Sequence, residues 1–141
     1  MKNYCYINGK IITANKLFVS SYDIGLLRAY AIYEGITTHN NKLFYLSEHL
    51  KRFRKSAIQL NLKISLTDIQ IKKVIETLIK KNGFDRTNLR LILSCGKTID
   101  GIEYDTSKST FIILAEKWNP LPKNLYQKGG KLITEDHLRF M

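Results

Sequence analysis

The residues best suited to chemistry in this 141-residue chain lie on one predicted helix. His49, Arg52 and Ser56 recur at i, i+3 and i+7, so a helix would place them side by side on one face. A guanidinium offers a planar fork of donors that matches phosphate oxygens, and an imidazole and a hydroxyl add further hydrogen-bonding groups. This stripe of three side chains predicts a site for a phosphate group.

The same arginine also belongs to the densest basic run of the chain, Lys51-Arg52-Arg54-Lys55. Charge runs on helices are usually solvated surface. From the pattern alone, a solvated face is therefore the favoured interpretation of Arg52, and the phosphate site is the alternative.

A second group of candidate residues lies on a predicted strand over residues 31–39. Side chains alternate between the two faces of a strand, so Tyr33, Gly35 and Thr37 share one face. The other face carries Ile32, Glu34, Ile36 and Thr38. Because a glycine inside a strand indicates close approach by a backbone or a ligand, Gly35 predicts open space beside the ring of Tyr33.

Other catalytic patterns are absent from the sequence. It has no Gly-x-Ser-x-Gly, Walker loop, Gly-x-Gly-x-x-Gly or His-Glu-x-x-His motif. The histidines at positions 39, 49 and 137 and the two cysteines show no metal-ligand spacing, so no metal site is predicted. Cys95 lies in an apolar strand and is expected to be a core thiol rather than a nucleophile.

The elements that must position these residues follow from turn signals and hydrophobic periodicity. Strands are predicted at residues 4–8, 10–13, 31–39, 42–46, 89–95 and 109–115, the first two joined by an Asn8-Gly9 turn. One helix is predicted to begin at Ser47 as its N-cap, and a second to run from about Thr67 to Asn82 and end at Gly83. The first helix carries an apolar stripe of Leu50, Phe53, Ala57 and Leu60.

This order of elements predicts an α+β fold, an antiparallel sheet with two helices packed on one side. Pro120-Leu121-Pro122 is predicted to be a linker, and residues 130–134 to start a further strand. We therefore expect an N-terminal domain over residues 1–119, followed at 120–141 by a linker and the first strand of a second domain.

Composition limits the classes of function. With 44% hydrophobic and 25% charged residues, the chain is long enough for one ordinary globular core. It has no apolar run that could span a bilayer and no signal-peptide pattern, so a cytosolic location is expected. The net charge of +11 permits polyanion binding, but it is spread along the chain, so nucleic-acid binding is not favoured.

Two motifs carry a resemblance to a known family. Tyr33-Glu34-Gly35-Ile36, with His49-Leu50-Lys51-Arg52 about fifteen residues on, resembles the N-terminal domain of class IV (fold type IV) pyridoxal-phosphate aminotransferases. That family holds branched-chain and D-amino-acid aminotransferases and 4-amino-4-deoxychorismate lyases. The resemblance covers nearly the whole chain, from Asn8-Gly9 to residues 135–139.

The resemblance implies roles for individual residues. Arg52 matches the arginine that holds the cofactor phosphate, Tyr33 and Gly35 match positions lining the substrate pocket, and Arg90 matches an arginine near the substrate in branched-chain enzymes. The chain departs from the pattern at Asn88, where those enzymes carry a tyrosine, and at Thr37, where an arginine is common. The Arg-x-His pair of D-amino-acid enzymes is not evident in the loop after residue 95, so a branched-chain substrate is favoured.

The family places its Schiff-base lysine shortly after the segment at residues 135–139, at about position 145. We therefore expect no catalytic residue within this chain and no activity from these 141 residues alone. The resemblance further implies pyridoxal phosphate as cofactor, an amino acid and a 2-oxo acid as substrates, and a homodimer. Alternatives are a 4-amino-4-deoxychorismate lyase, a D-amino-acid aminotransferase and, from another class, a non-enzymatic module binding through the basic run 51–55.

Overall fold

The computed structural model describes residues 3–40, 42–100 and 102–135. Short 3₁₀ turns lie at Ala14–Lys16 and Thr106–Lys108. The strands and helices are β1 (Tyr4–Ile7), β2 (Lys10–Thr13), α1 (Ile24–Arg28), β3 (Ala31–His39), β4 (Lys42–Leu43), α2 (Leu46–Gln59), α3 (Asp68–Asn82), β5 (Thr87–Ser94), β6 (Thr110–Lys117) and α4 (Lys123–Lys128).

The strands form one six-stranded antiparallel sheet in the order β2-β1-β6-β5-β3-β4. The two long helices, α2 and α3, pack on the same face of this sheet and share one hydrophobic core with it. The predicted α+β fold with two helices on one side is confirmed. Because both long helices pack on one face, neither covers the other face of the sheet.

Strand β5 shows how the sequence divides the two faces. Leu89, Leu91 and Leu93 are fully buried beneath the helices, whereas Asn88 and Arg90 point to the opposite face and are exposed. A period of two in hydrophobicity specifies this register, because a slip of one residue would bury the polar set. Strand β5 therefore presents the polar side chains of Asn88 and Arg90 on the outer face.

The long helices form as their periodicity predicts. Helix α2 buries Leu50, Phe53 and Ala57. Helix α3 has a capping box between Thr67 and Gln70, and it ends at Gly83 in the left-handed conformation, φ 63°. The stripe of α2 that carries His49 and Arg52 is thereby placed beside β3, the strand that α2 contacts.

The predicted partner strand over 42–46 and the predicted N-cap are both wrong in detail. Strand β4 spans only Lys42–Leu43, and α2 begins at Leu46 after Tyr45, which adopts the left-handed conformation with φ 47°. Ser47 lies inside the helix, and its hydroxyl donates a hydrogen bond to Glu48. The tight reversal at Tyr45 ends the strand early, so β4 pairs only with Thr38 and His39.

Three further elements differ from the prediction. Helices α1 and α4 were not expected, since each is a short segment without a repeated apolar period. The strand expected at 130–134 does not form: residues 129–135 carry no helix or strand, and Leu132 and Ile133 are exposed. Residues 136–139, which end the resembling segment, lie outside the described residues, and the domain boundary near residue 120 stays a prediction.

Candidate functional site

The candidate site centres on a buried carboxylate that the sequence places inward on β3. Glu34 is 3% exposed and accepts hydrogen bonds from Arg52 Nε (2.8 Å) and Arg52 Nη2 (2.5 Å). Its Oε1 atom also lies 2.9 Å from His49 Nδ1 and 3.1 Å from the backbone nitrogen of Gly35. Both oxygens of Glu34 are therefore occupied, and the two helix side chains meet on one anion.

Electrostatics follow from this geometry. Hydrogen bonding by Arg52 is the largest influence on the Glu34 carboxyl and, with His49, keeps its pKa below the usual value despite burial. Reciprocally, the hydrogen bonds to Glu34 raise the pKa of Arg52. Because an ionised carboxylate only accepts, Nδ1 of His49 carries the hydrogen in this contact. We call Glu34, His49 and Arg52 the Glu34 cluster.

The Glu34 cluster shows how the charges of the basic run 51–55 are paired. Arg52 is not a free surface charge, since it is bound bidentately to Glu34. Arg54 is likewise engaged, with its Nε 2.6 Å from Asp68 Oδ1 at the start of α3, whereas Lys51 and Lys55 are exposed. The basic run is thus a mixture of fixed and solvated charges.

The side chain of Arg52 nevertheless remains 68% exposed. A guanidinium has five N–H donors, and Glu34 takes one edge of the fork. Arg52 Nη2 also lies 3.5 Å from His49 Nδ1, and the exposure of the side chain leaves the remaining N–H donors accessible to solvent. Ser56, the third member of the predicted stripe, is half-buried one turn further along, and among the described contacts its hydroxyl is not bonded to Glu34 or Arg52.

The outer face of β3 carries the predicted substrate residues. Gly35 is directly opposite Arg90 in the β3–β5 register, and no atom outside residues 34–36 lies within 4 Å of the position that a Cβ of Gly35 would take. Tyr33 is 76% exposed on the same face. These three residues line a shallow cavity of about 400 Å³, together with Thr37, Asn88 and His49, among others.

The structure therefore brings the predicted residues together in two groups on either side of β3. Arg52 lies on the helix side, and Tyr33, Gly35 and Arg90 lie on the outer side. His49 connects them, because it is bound to Glu34 and also lines the cavity. The two groups meet along the part of β3 that β4 leaves unpaired.

Two residues escaped the sequence analysis. The strand alternation puts Glu34 on the inward face, where a carboxylate between Ile32 and Ile36 needs hydrogen-bonding partners, but it does not indicate that one of them is Arg52. Arg86 lies with its guanidinium 4.0 Å from the ring centre of Trp118, and its Nε is 3.4 Å from Thr37 Oγ1. The sequence pattern around Arg86 does not indicate this contact, because only the pairing of β3 with β5 brings Arg86 close to Thr37.

Other chemistries find no support within the described ranges. Residues 3–40, 42–100 and 102–135 contain no group of three or more side chains that could hold a metal ion. Cys95 is buried, as predicted, and burial raises the pKa of its thiol. Across the same ranges, every helix is too short or too polar to traverse a lipid bilayer.

Comparison with known proteins gives consistent results. The chain is 30% identical over 130 residues to a putative branched-chain-amino-acid aminotransferase of Methanocaldococcus jannaschii, covering 92% of this chain and 44% of that protein. It is 27% identical over 137 residues to a D-alanine aminotransferase of Staphylococcus haemolyticus, covering 96% and 49%. The chain thus spans about half the length of these curated relatives.

Solved structures share the fold. A branched-chain amino acid aminotransferase of Escherichia coli superposes with a TM-score of 0.77 at 20% identity, over 84% of this chain and 40% of that chain. Another branched-chain amino acid aminotransferase, solved with pyridoxamine 5′-phosphate, gives 0.75 at 20% identity, over 88% and 43%. The family model for amino-transferase class IV matches residues 31–139, which include β3, α2 and the whole Glu34 cluster. On these grounds the chain belongs to the class IV aminotransferase family.

Proposed function

We propose that the protein carrying this chain transfers an amino group between an amino acid, with branched-chain amino acids favoured, and a 2-oxo acid. Its cofactor is pyridoxal 5′-phosphate, and Arg52 binds the phosphate of that cofactor. The observation that carries the proposal is the exposed guanidinium of Arg52, which is held against Glu34 together with His49, a residue that lines an open cavity. A fixed guanidinium with free donors is suited to a phosphate dianion.

The residues present fit such a cofactor. Arg52 retains outward N–H donors after its two hydrogen bonds to Glu34, and the space over Gly35 would be reduced by any side chain. When bound, pyridoxal phosphate supplies the electron-withdrawing ring on which amino transfer depends. In our proposal this chain contributes binding and orientation: Arg52 at the phosphate, and Tyr33, Gly35 and Arg90 along the substrate.

The substrate residues lie where a carboxylate could be recognised. Arg90 is exposed on the outer face of the sheet, one strand away from Gly35. An arginine binds a carboxylate through two parallel hydrogen bonds, which would orient an amino acid or 2-oxo acid over the glycine. Tyr33 adds an aromatic wall for an apolar side chain, in agreement with a branched-chain substrate.

The complete catalytic unit is proposed to be larger than this chain. The curated relatives are about twice its length, and the Schiff-base lysine expected at about position 145 falls beyond residue 141. We further propose a homodimer in the cytoplasm, with residues 1–119 as the N-terminal domain and 120–141 leading into a second domain. Membrane and nucleic-acid partners are not part of the proposal.

The experiment is to purify the protein as its gene encodes it and to measure amino transfer to 2-oxoglutarate. L-Leucine, L-isoleucine and L-valine are tested beside D-alanine, since D-alanine aminotransferases are among the relatives. We expect transfer from the branched-chain donors and its loss in Arg52→Ala. Transfer from D-alanine alone would replace the substrate assignment, and pyruvate release from 4-amino-4-deoxychorismate without transfer would indicate a lyase.

The proposal is overturned if the protein neither binds pyridoxal phosphate nor transfers an amino group from any of these donors. Arg54→Ala serves as the control, because Arg54 lies on the same helix but pairs with Asp68, away from the cavity. Equal losses in Arg52→Ala and Arg54→Ala would mean that both variants act through general charge or folding.

A further inference from the structure

The inward position of Glu34 carries a desolvation penalty, which suggests that this carboxylate does more than fill the core. Ile36 occupies the next inward position on the same strand and joins the hydrophobic core, so an apolar side chain suits this face of β3. Removing an ionised carboxylate from water is expensive, and an ion pair with an exposed partner returns little of that cost. Glu34 is nevertheless 3% exposed, while its partner Arg52 is 68% exposed.

The hydrogen bonds of the buried Glu34 carboxylate fix the orientation of the Arg52 guanidinium. One carboxylate oxygen binds Nε of Arg52 and the other binds Nη2, so the guanidinium is fixed in rotation and in tilt. The oxygen that binds Nη2 also lies within hydrogen-bond distance of His49 Nδ1 and of the Gly35 N–H. The carboxylate is therefore itself anchored, by the helix and by the strand.

The backbone around Glu34 provides the space for a ligand at this point. Strand β4 pairs only with Thr38 and His39, so β4 pairs with none of β3 before Thr38. The Gly35 N–H turns to the carboxylate of Glu34, and the open position above Gly35 lies on the outer face, across the strand from Arg52. A phosphate placed at this edge would meet the outward donors of Arg52.

We propose that Glu34 is the positioning residue of the phosphate site: it does not touch the ligand, but it sets the direction of the Arg52 guanidinium that does. This inference rests on the proposed function, in which Arg52 binds the cofactor phosphate. On this inference, Glu34 is buried in order to orient Arg52 and not only to stabilise the fold. A second arginine of α2, Arg54, pairs with Asp68 at the start of α3. The side chain of Asp68 is 55% exposed, so this pair provides a matched comparison at the surface.

The test measures binding of two probes to the protein as its gene encodes it. 4-Deoxypyridoxine 5′-phosphate lacks the aldehyde, so it cannot react with lysines, and pyridoxine lacks the phosphate. Binding is followed by titration calorimetry for the wild type and for Glu34→Gln, which preserves the size of the side chain and removes its charge. Asp68→Asn makes the same chemical change in the comparison pair.

We expect Glu34→Gln to weaken binding of the phosphate probe about tenfold, as for one misaligned charge-assisted hydrogen bond, and to leave pyridoxine binding unchanged. Asp68→Asn should bind both probes like the wild type. Wild-type affinity in Glu34→Gln overturns the inference and leaves the proposed function standing. Equal weakening of both probes also overturns it, because that result indicates a general structural role.

A double variant tests whether Glu34 acts through Arg52. Arg52→Lys keeps the charge but loses the fork, so adding Glu34→Gln to it should weaken phosphate binding by less than about twofold. A full further tenfold loss contradicts the inference. If Glu34→Gln fails to fold, Glu34→Asp replaces it, since a carboxylate one methylene shorter keeps the charge and should still weaken the phosphate probe selectively. If the wild-type protein binds neither probe, both the proposed function and this inference are refuted.

Discussion

Two buried carboxylates in this protein are used in different ways. Asp23, 2% exposed, accepts hydrogen bonds from the Gly25 N–H (2.8 Å), the Ser94 hydroxyl (2.8 Å) and the Thr110 hydroxyl (3.1 Å). Glu34, equally buried, instead binds a cation whose other side is open to solvent. We call the first set the Asp23 cluster.

The difference lies in the partners. These partners of Asp23 are neutral and internal, so its hydrogen bonds join the start of α1 to the last residue of β5 and the first residue of β6. The Glu34 cluster ends in the outward donors of Arg52 and in His49, which lines a cavity. The two buried carboxylates thus differ in whether a partner keeps unused hydrogen-bonding capacity at the surface, and the phosphate site that we propose depends on that capacity.

The largest change in stability is expected when the Asp23 cluster is disrupted. Asp23→Ala leaves the buried Ser94 hydroxyl and the half-buried Thr110 hydroxyl without their acceptor and removes the N-cap of α1. We therefore expect the free energy of unfolding to fall by about 3 kcal/mol. Urea unfolding monitored by circular dichroism measures this change. A loss below about 1 kcal/mol would show that water replaces the carboxylate and that the cluster is dispensable.

The next effect concerns Gly25, which adjoins Asp23. A Cβ at this position would lie 2.6 Å from Ser94 Cβ and 2.9 Å from Asp23 Oδ1. Gly25→Ala is therefore expected to lower the free energy of unfolding by about 2 kcal/mol through overpacking. The measurement is the same urea titration, and wild-type stability in this variant would contradict the close approach.

A smaller change in stability, confined to acidic pH, is expected for the Glu34 cluster. The folded-state pKa of Glu34 lies below its ordinary value of 4.5, so its contribution to stability is present above that value and is lost as pH falls through the lowered pKa. In Glu34→Gln, stability should fall less steeply than in the wild type between about pH 5 and pH 3. The free energy of unfolding is measured by urea titration of both proteins at several pH values in this range. An identical pH dependence in the two proteins would show that the ionised carboxylate is not stabilised by Arg52 and His49.

The smallest effect has the opposite sign. Gly35, unlike Gly25, has no atom outside residues 34–36 within 4 Å of its absent Cβ. Gly35→Ala should therefore raise the free energy of unfolding by about 0.5 kcal/mol, because glycine costs more backbone entropy inside a strand than alanine. Thermal unfolding of this variant beside Gly25→Ala measures both. A destabilised Gly35→Ala would mean that the space over β3 is filled.

The sequence by itself determined the main elements and the membership of each face. The alternation in β3 placed Glu34 inward and Gly35 outward, and the helical spacing placed His49 beside Arg52. These are local periodicities, which a single segment carries in full. The motif pair at 33–36 and 49–52 also identified the family, which the match over residues 31–139 confirms.

Only the tertiary structure decided which of these side chains meet. The pairing of Glu34 with Arg52, the early end of β4 and the left-handed Tyr45 depend on how α2 docks against β3, and no single segment specifies that docking. The same holds for Asp23, which binds hydroxyls 71 and 87 positions away. Contacts between distant segments are set by packing across the sheet, so the sequence supplied the donors and acceptors, and the fold chose their partners.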